Sequence, residues 1–331
     1  MVRIGGIDLG GTKIQAVVVD ESHTVLGQSR RETPRKGGPE AVAAEMAETM
    51  RAACEAAGID TDSLRGVGVG APGAIDVAAG TVARAGNLTD WDDPYPLGDA
   101  LTERLGTTVA LGNDVNVAVQ AEFDLGAARE VSSLLGVFWG TGVGGGIVLN
   151  DEMWVGRGAA AEIGHMVVKP GGRRCPCGRH GCMEAYAGRG AMEARARKLV
   201  KSDHKTSLFK VMEKRGKQRL ASSVWDIALK DGDRMATRLI DEAVQAIGVA
   251  TASAVNLLDV EMVVIGGGLG IRLGAPYAQR IEEAMLPHLF VSSRPPAVRV
   301  AALGDLGGAV GAALLISAES PDRKRGRLSR A

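Results

Sequence analysis

Residues 161–184 read AEIGHMVVKPGGRRCPCGRHGCME and hold three of the chain's four cysteines. His165, Cys175, Cys177 and Cys182 lie close together among glycines, prolines and arginines that cannot build a core of their own. Three thiolates and one imidazole form a closed tetrahedral donor set for a structural zinc ion, which takes soft ligands and keeps no position open for water. The C-x-C-x4-C spacing is tighter than in common zinc fingers. By itself it also fits three incidental thiols, or a redox pair at Cys175 and Cys177. Zinc is favoured because the loop has little else to hold it. Glu162 precedes His165 by three residues and Glu184 follows Cys182 by two. A metal-stiffened loop carrying two carboxylates is suited to gripping a polar ligand.

The 331 residues, 45% of them hydrophobic, suffice for one large or two medium domains. Thirty-nine basic residues balance thirty-nine acidic ones, so no overall field directs the chain to nucleic acid or to a membrane. Aromatic residues make up only 3%, which disfavours a stacking platform for bases or sugars. The forty-six glycines cluster in turns, where backbone can approach a ligand closely. The chain enters a strand-like run at once, so neither a signal peptide nor a bilayer-spanning stretch is expected. With few cysteines beyond the metal set, the expectation is a cytoplasmic protein.

Val2–Leu9 and Lys13–Asp20 are β-branched runs joined by Gly10-Gly11-Thr12, with a third strand over Thr24–Thr33. Backbone N–H groups in that turn, together with the Thr12 and Lys13 side chains, can cradle phosphate oxygens. Asp8, at the end of the first strand, can hold Mg²⁺ directly or through water. An ordinary glycine hairpin with a capping aspartate fits the same residues. The pattern then predicts a helix over Glu40–Ala57 with Cys54 in its core, a strand over Arg65–Ala71 and a hairpin over Ala74–Ala85. A helix over Leu97–Leu105 and a strand over Thr107–Leu111 follow. Asn87 reads equally as a turn former or a ligand contact.

Asn113-Asp114-Val115-Asn116 opens a helix over Val115–Gly126. Such residues are usually caps, but Asp114, at a strand end and a helix start, can also accept a proton from a substrate hydroxyl. A strand over Val131–Trp139 leads into Gly140-Thr141-Gly142-Val143-Gly144-Gly145-Gly146 and a strand over Ile147–Leu149. A dinucleotide fingerprint would have to lead into a helix, so this is a strand–turn–strand that echoes the first hairpin. Two such hairpins predict a duplicated α/β unit with a phosphate loop in each half. Beyond the cysteine loop, the basic segments Tyr186–Lys201 and Leu208–Arg215 read as helices with solvated faces. Ser222 or Ser223 caps a helix to Leu229, and Asp233 opens a long one to Leu258. A strand over Glu261–Ile265 meets the glycine run Gly266–Gly270 ahead of a helix over Pro276–Met285; the run suits close approach of a ligand to the backbone, or else a flexible loop. A last strand within Pro295–Ala302 and a helix over Asp305–Ser317 follow, and Pro321–Ala331 is a basic tail expected to be disordered.

DLGGTK at 8–13, GAPG at 70–73, NDVN at 113–116, GTGVGGG at 140–146, EIGHM at 162–166, CPCGRHGCME at 175–184 and IGGGLG at 265–270 occur in that order. With these motifs the chain resembles the ROK family of bacterial sugar kinases and related repressors, most of all its glucokinases. The resemblance covers everything but the tail. It implies two ribonuclease-H-like α/β lobes around a cleft, the fold of the sugar kinase, heat-shock protein 70 and actin superfamily. The order of motifs suggests a small lobe of residues 1–117 plus 306–320, a large lobe of 118–305 bearing the zinc loop 161–184, and the tail 321–331 outside both.

The resemblance also implies roles. Asp114 is the base that takes the proton from the primary hydroxyl of the sugar, and Asn87, Asn113, Glu162, His165 and Glu184 join it in holding the sugar. His165 serves twice, with one ring nitrogen on zinc and the other aimed at a hydroxyl. Asp8, Gly10, Gly11, Thr12 and Lys13 form the first phosphate loop, Thr141 and Gly142 the second, and Gly266, Gly267 and Gly268 the adenosine side. ATP with Mg²⁺ is the implied phosphoryl donor, glucose the implied acceptor at its 6-hydroxyl, and a homodimer or dimer of dimers the implied assembly. Other hexoses and N-acetylhexosamines (N-acetylmannosamine, N-acetylglucosamine, fructose, mannose) use the same grip. A sugar-sensing repressor would carry a helix-turn-helix ahead of the first strand, for which no room is expected here.

Overall fold

The β-branched runs at the start of the chain form the antiparallel ribbon β1 (Ile4–Leu9), β2 (Lys13–Val19) and β3 (Val25–Glu32). The structure is a computed structural model and describes residues 2–86 and 88–318, so Asn87 and the basic segment 321–331 lie outside the described residues. Two parallel strands extend the ribbon, β4 (Val67–Ala71) and later β7 (Val109–Asn113), in the order β3-β2-β1-β4-β7. Between them lie the hairpin β5 (Ala74–Asp76) and β6 (Thr81–Ala83). The helices of this part are α1 (Gly38–Ala56), α2 (Leu97–Leu105) and α3 (Asp114–Asp124).

Alternation along the ribbon sorts its side chains onto two faces. Ile7, Leu9, Ile14, Ala16 and Val18 pack with Met46 and Met50 of α1. Ile4, Val17 and Val19 pack with Ala309, Ala313 and Ile316 of the C-terminal helix (Gly307–Ala318). That helix lies directly on the strands: a Cβ on Gly6 would strike the Ala309 carbonyl, and one on Gly68 the Ala312 carbonyl.

The chain forms two compact units, the first running to Leu125 and resuming at Leu303, the second spanning Gly126–Ala302. The first boundary falls after α3, not within it at residue 117, because Val117 and Ala121 of α3 pack against Gly311 of the C-terminal helix.

The second unit repeats the first. Its strands are β8 (Leu134–Trp139), β9 (Val143–Leu149), β10 (Glu152–Met153), β11 (Met262–Gly266) and β12 (Ala297–Val300). They lie in the order β10-β9-β8-β11-β12, again an antiparallel ribbon beside two parallel strands. The duplication expected from the two glycine turns is therefore present. The helices are α4 (Glu184–Ala187), α5 (Arg189–Val200), α6 (Leu208–Lys214), α7 (Ser222–Lys230), α8 (Arg234–Leu258), α9 (Gly267–Leu273) and α10 (Ala275–Met285).

In α8, buried Met235, Leu239, Ile240, Ala243, Val244 and Ile247 recur at helical spacing, and Asp233 caps the helix by accepting the Ala236 N–H at 2.8 Å. Three expectations change. Ala221, not a serine, takes the N-cap position of α7, and no side chain caps it. Gly144–Gly146 belong to β9, and the run after Gly266 is helical from Gly267. No described helix is long and apolar enough to cross a membrane.

Candidate active site

In the first unit, β1, β4 and β7 run parallel, with Asp8 paired to Gly70 and Ala71 to Asn113. Their carboxyl ends therefore share one edge of the sheet, where ligands of open α/β sheets bind. The turn after β1 is braced: the Gly10 N–H donates to the Lys13 carbonyl at 2.9 Å, and the Thr33 hydroxyl donates to the Gly10 carbonyl at 2.6 Å. Gly11 and Thr12 stand exposed at its tip, and the Lys13 ammonium lies 3.9 Å from Asp305.

Both readings of Asn113-Asp114 find a place. Asn113 caps α3, its side-chain oxygen accepting the N–H groups of Val115 (3.0 Å) and Asn116 (3.1 Å). Asp114 is the first helical residue, and one of its oxygens accepts the Val115 N–H at 2.9 Å.

Burial pushes the Asp8 carboxyl up to about 6; the Asp114 charge adds to the rise, Lys13 opposes it, and Asp305 adds further. A Cβ on Gly308 would collide with the Asp8 carboxylate, so the start of the C-terminal helix approaches it closely. Asp305 also lies 3.9 Å from Arg30, so three carboxylates face two cations; a divalent cation would relieve the remaining negative charge, and Asp8 offers the hard oxygen donor that Mg²⁺ takes.

In the second unit, the ligand atoms of His165, Cys175, Cys177 and Cys182 all lie within 4.8 Å of one another. The sulfurs of Cys177 and Cys182 are 3.8 Å apart, and Cys175 Sγ is 3.7 Å from His165 Nδ1. A tetrahedron with zinc–sulfur and zinc–nitrogen bonds of about 2.3 and 2.0 Å has edges of about 3.5–3.8 Å, so the cluster has the size and donor set for zinc. All four cysteines are free thiols. The Arg179 backbone N–H, against a smaller opposing effect of burial, draws the Cys177 thiol down to about 6, whereas burial pushes Cys175 up to about 12. His165 turns Nδ1 to the thiols and Nε2 toward Glu162, 4.0 Å away.

The glycines of β9 serve this cluster. A Cβ on Gly145 would meet the Ala161 carbonyl and Ile163 at 2.6 and 2.7 Å, so the turn Ile163–His165 can lie flat on the strand. Gly145 thus sits within β9, and the turn is confined to residues 140–142. On its other side the loop is held by an ion pair between Arg173 and Glu242 of α8, with the Arg173 guanidinium 4.7 Å from the Tyr186 ring centre.

Glu184 joins the metal loop to that turn. One carboxylate oxygen accepts the Val143 N–H at 2.9 Å and the other lies 4.0 Å from Cys175 Sγ; a Cβ on Gly142 would strike it. The turn is docked on the start of α5, where Arg189 N–H donates to the Gly140 carbonyl at 3.2 Å and Gly190 N–H to the Thr141 carbonyl at 3.0 Å. Gly267 presses against the Trp139 backbone, its Cβ position 2.7 Å away, which brings the run Gly266–Gly268 beside the same turn.

The expected residues thus fall into one group per unit: Asp8, Gly10–Lys13, Asn113 and Asp114 in the first, and Thr141, Gly142, Glu162, His165, the cysteines, Glu184 and Gly266–Gly268 in the second. Asn87 lies outside the described residues. Sequence reasoning missed Asp305 and Gly308 beside Asp8, and Arg189, whose guanidinium donates to the Thr141 hydroxyl at 2.9 Å. No spacing signal could have found Arg189, since Thr141 is 48 residues away.

Residues 4–319 match the ROK family. The chain is 34% identical over 290 residues to a glucokinase of Thermotoga maritima, covering 86% of this chain and 89% of that one. It is also 34% identical, with the same coverage, to an N-acetylmannosamine kinase of Yersinia pseudotuberculosis. Among solved structures, a ROK family glucokinase from Streptomyces griseus in complex with glucose and AMPPNP superposes with a TM-score of 0.81 at 31% identity, covering 95% of this chain and 98% of that one. The architecture is the α/β fold of the sugar kinase, heat-shock protein 70 and actin superfamily.

Proposed function

The chain belongs to the ROK family, and on that premise we propose that it transfers the γ-phosphoryl group of ATP to the 6-hydroxyl of glucose, releasing glucose 6-phosphate and ADP. The reaction class, a hexokinase-type phosphotransfer, is that of its glucokinase relatives. The observation that carries the residue assignment is the division of labour at the start of α3. Asn113 makes the cap, and Asp114 follows it as the first helical residue, a carboxylate at the edge where β1, β4 and β7 end. In this proposal Asp114 takes the proton from the 6-hydroxyl as that oxygen attacks phosphorus.

Asn113, Glu162, His165, Glu184 and Asn87 orient the sugar by hydrogen bonds to its hydroxyls. The turn Gly10–Lys13 and the turn Thr141–Gly142 hold the phosphates, and Gly266–Gly268 pass close to the nucleoside. Phosphoryl transfer depends mainly on positioning and charge neutralisation, which Mg²⁺ at Asp8 would supply. Zinc on His165, Cys175, Cys177 and Cys182 would hold the sugar-binding loop in shape without touching the reaction. A cytoplasmic location and a homodimer belong to the same proposal.

N-acetylmannosamine is the second reading of the acceptor, because a kinase named for it shares the same 34% identity with this chain as the glucokinase does. The test is ADP release from Mg-ATP over a panel of hexoses and N-acetylhexosamines, repeated with Asp114→Asn. Turnover with glucose, lost in the variant by about 100-fold or more while glucose binding survives, is the expected result. Turnover with N-acetylmannosamine alone would replace the acceptor. Near-normal rates for Asp114→Asn would remove the base, and silence across the panel from zinc-loaded protein would revive a sugar sensor.

A further inference from the structure

Arg189 opens α5 in a segment whose other basic residues read as a solvated face, yet its side chain turns inward. One terminal nitrogen donates to the Thr141 hydroxyl at 2.9 Å, and its Nε is buried with no hydrogen-bond partner. A second guanidinium stands close by. Arg219 lies 3.7 Å from the position a Cβ on Gly190 would occupy, and the Thr141 carbonyl is equally near that point. The carboxylate of this neighbourhood is already committed. Glu193 binds Arg197 at 2.7 Å, accepts the Leu220 N–H at 3.0 Å and lies 3.4 Å from Arg219. Burial, and after it the charge of Arg219, lowers the Arg189 pKa, so the guanidinium is desolvated without a full anionic partner.

A fork of donors with a buried N–H left over, beside a like charge and against a glycine turn, is a site short of one anion. We propose that Arg189 binds the phosphate groups of the nucleotide directly, as a cationic ligand added to the Gly140–Gly142 turn. The proposal rests on reading that turn as a phosphate loop. Arg189 then has two tasks: its terminal nitrogen steadies the Thr141 hydroxyl, and the remaining donors face the phosphate. A guanidinium neutralises charge on phosphate oxygens without giving up its proton, so this contribution holds across the working pH range.

The experiment uses the zinc-loaded full chain and measures the dissociation constants of ADP and of adenosine by calorimetry. Wild type is compared with Arg189→Met, Thr141→Ala and the double variant, and the KM for Mg-ATP is measured alongside. Arg189→Met is expected to weaken ADP by about 10-fold or more and to raise the KM for Mg-ATP similarly, while adenosine changes by less than about 2-fold. The loss should persist in the Thr141→Ala background, as a direct contact requires and an effect passed through the hydroxyl does not.

An equal loss of ADP and adenosine, or a loss that vanishes in that background, overturns the proposal and leaves Arg189 a support of the turn. If Thr141→Ala weakens ADP and Arg189→Met does not, only the role of Arg189 falls; if neither does, the phosphate-loop reading falls with it. Should Arg189→Met not fold, Arg189→Lys and Arg189→Gln carry the comparison. The charged variant should hold ADP more tightly than the neutral one, and equal dissociation constants would overturn the proposal.

Discussion

Replacing Asp8 with asparagine should make the metal-free protein more stable at neutral pH while it destroys turnover. Burial and the neighbouring charge of Asp114 raise the Asp8 pKa from 3.8 to about 6. A raised folded-state pKa means that the folded chain binds the proton more tightly than the unfolded one does. The stability tied to that proton is fully present below pH 3.8 and is lost as the pH rises through about 6. A rise from 3.8 to about 6 corresponds to about 3 kcal/mol. Asp8 keeps partial solvent access, which screens part of this, so the expected gain for Asp8→Asn at pH 7.5 is about 1–3 kcal/mol.

The assay is urea unfolding of both proteins in chelator-treated, Mg²⁺-free buffer at pH 4, 5, 6 and 7.5. Comparing the two cancels the titration of the other groups. The stability difference should be small at pH 4, open as the pH rises through about 6, and be close to its full value at pH 7.5. An asparagine variant no more stable than wild type at pH 7.5, or a difference that does not close toward pH 4, would refute the reasoning. Opposed effects on stability and turnover are expected of a carboxylate kept in a strained electrostatic position for function.

Two further perturbations probe the second unit. Glu184→Ala leaves the Val143 N–H without its acceptor and should lower unfolding free energy by about 1–3 kcal/mol and raise the KM for sugar, whereas Glu184→Gln, which keeps a side-chain oxygen, should lose less; equal stability of the two variants would show that this bond does not matter. Cys177→Ala should release zinc, measured by a chromogenic chelator, and weaken sugar binding through Glu162 and Glu184; a zinc-free variant with unchanged sugar affinity would make the metal incidental to the grip.

What could be read in advance depended on distance along the chain. His165 and the three cysteines lie within eighteen residues, so their common chemistry is visible as a motif. Asp233 announces its helix because the N–H it caps is three residues away. The alternation of β1 and β2 is local too, and so is the repetition of a strand, a glycine turn and a strand that predicts the duplication.

Misreadings came where a local signal has two outcomes. A glycine run looks the same whether it frees backbone for a ligand or admits a neighbouring chain segment. Gly145 proved to be the second kind, because Ala161 and Ile163 lie against it. Ser222 and Ser223 are good caps in isolation, but the helix begins a residue too early to use them. Asn113 and Asp114 could each have been the cap, and only the course of β7 into α3 assigns it to Asn113.

By itself, then, the sequence determined the cluster of one histidine and three cysteines, the two α/β repeats and the glycine turns that each repeat carries. Those properties are carried by neighbours in the chain, within reach of one turn or one strand. Tertiary structure alone decided that Glu184 accepts from Val143, 41 residues away, that Arg173 pairs with Glu242, 69 away, and that Arg189 meets Thr141. The parallel register of β1, β4 and β7 likewise brings Asp8 within reach of the Asp114 charge and sets its pKa. A proton affinity or an unmet donor is a property of the surroundings, and the surroundings come from parts of the chain that meet only when it folds.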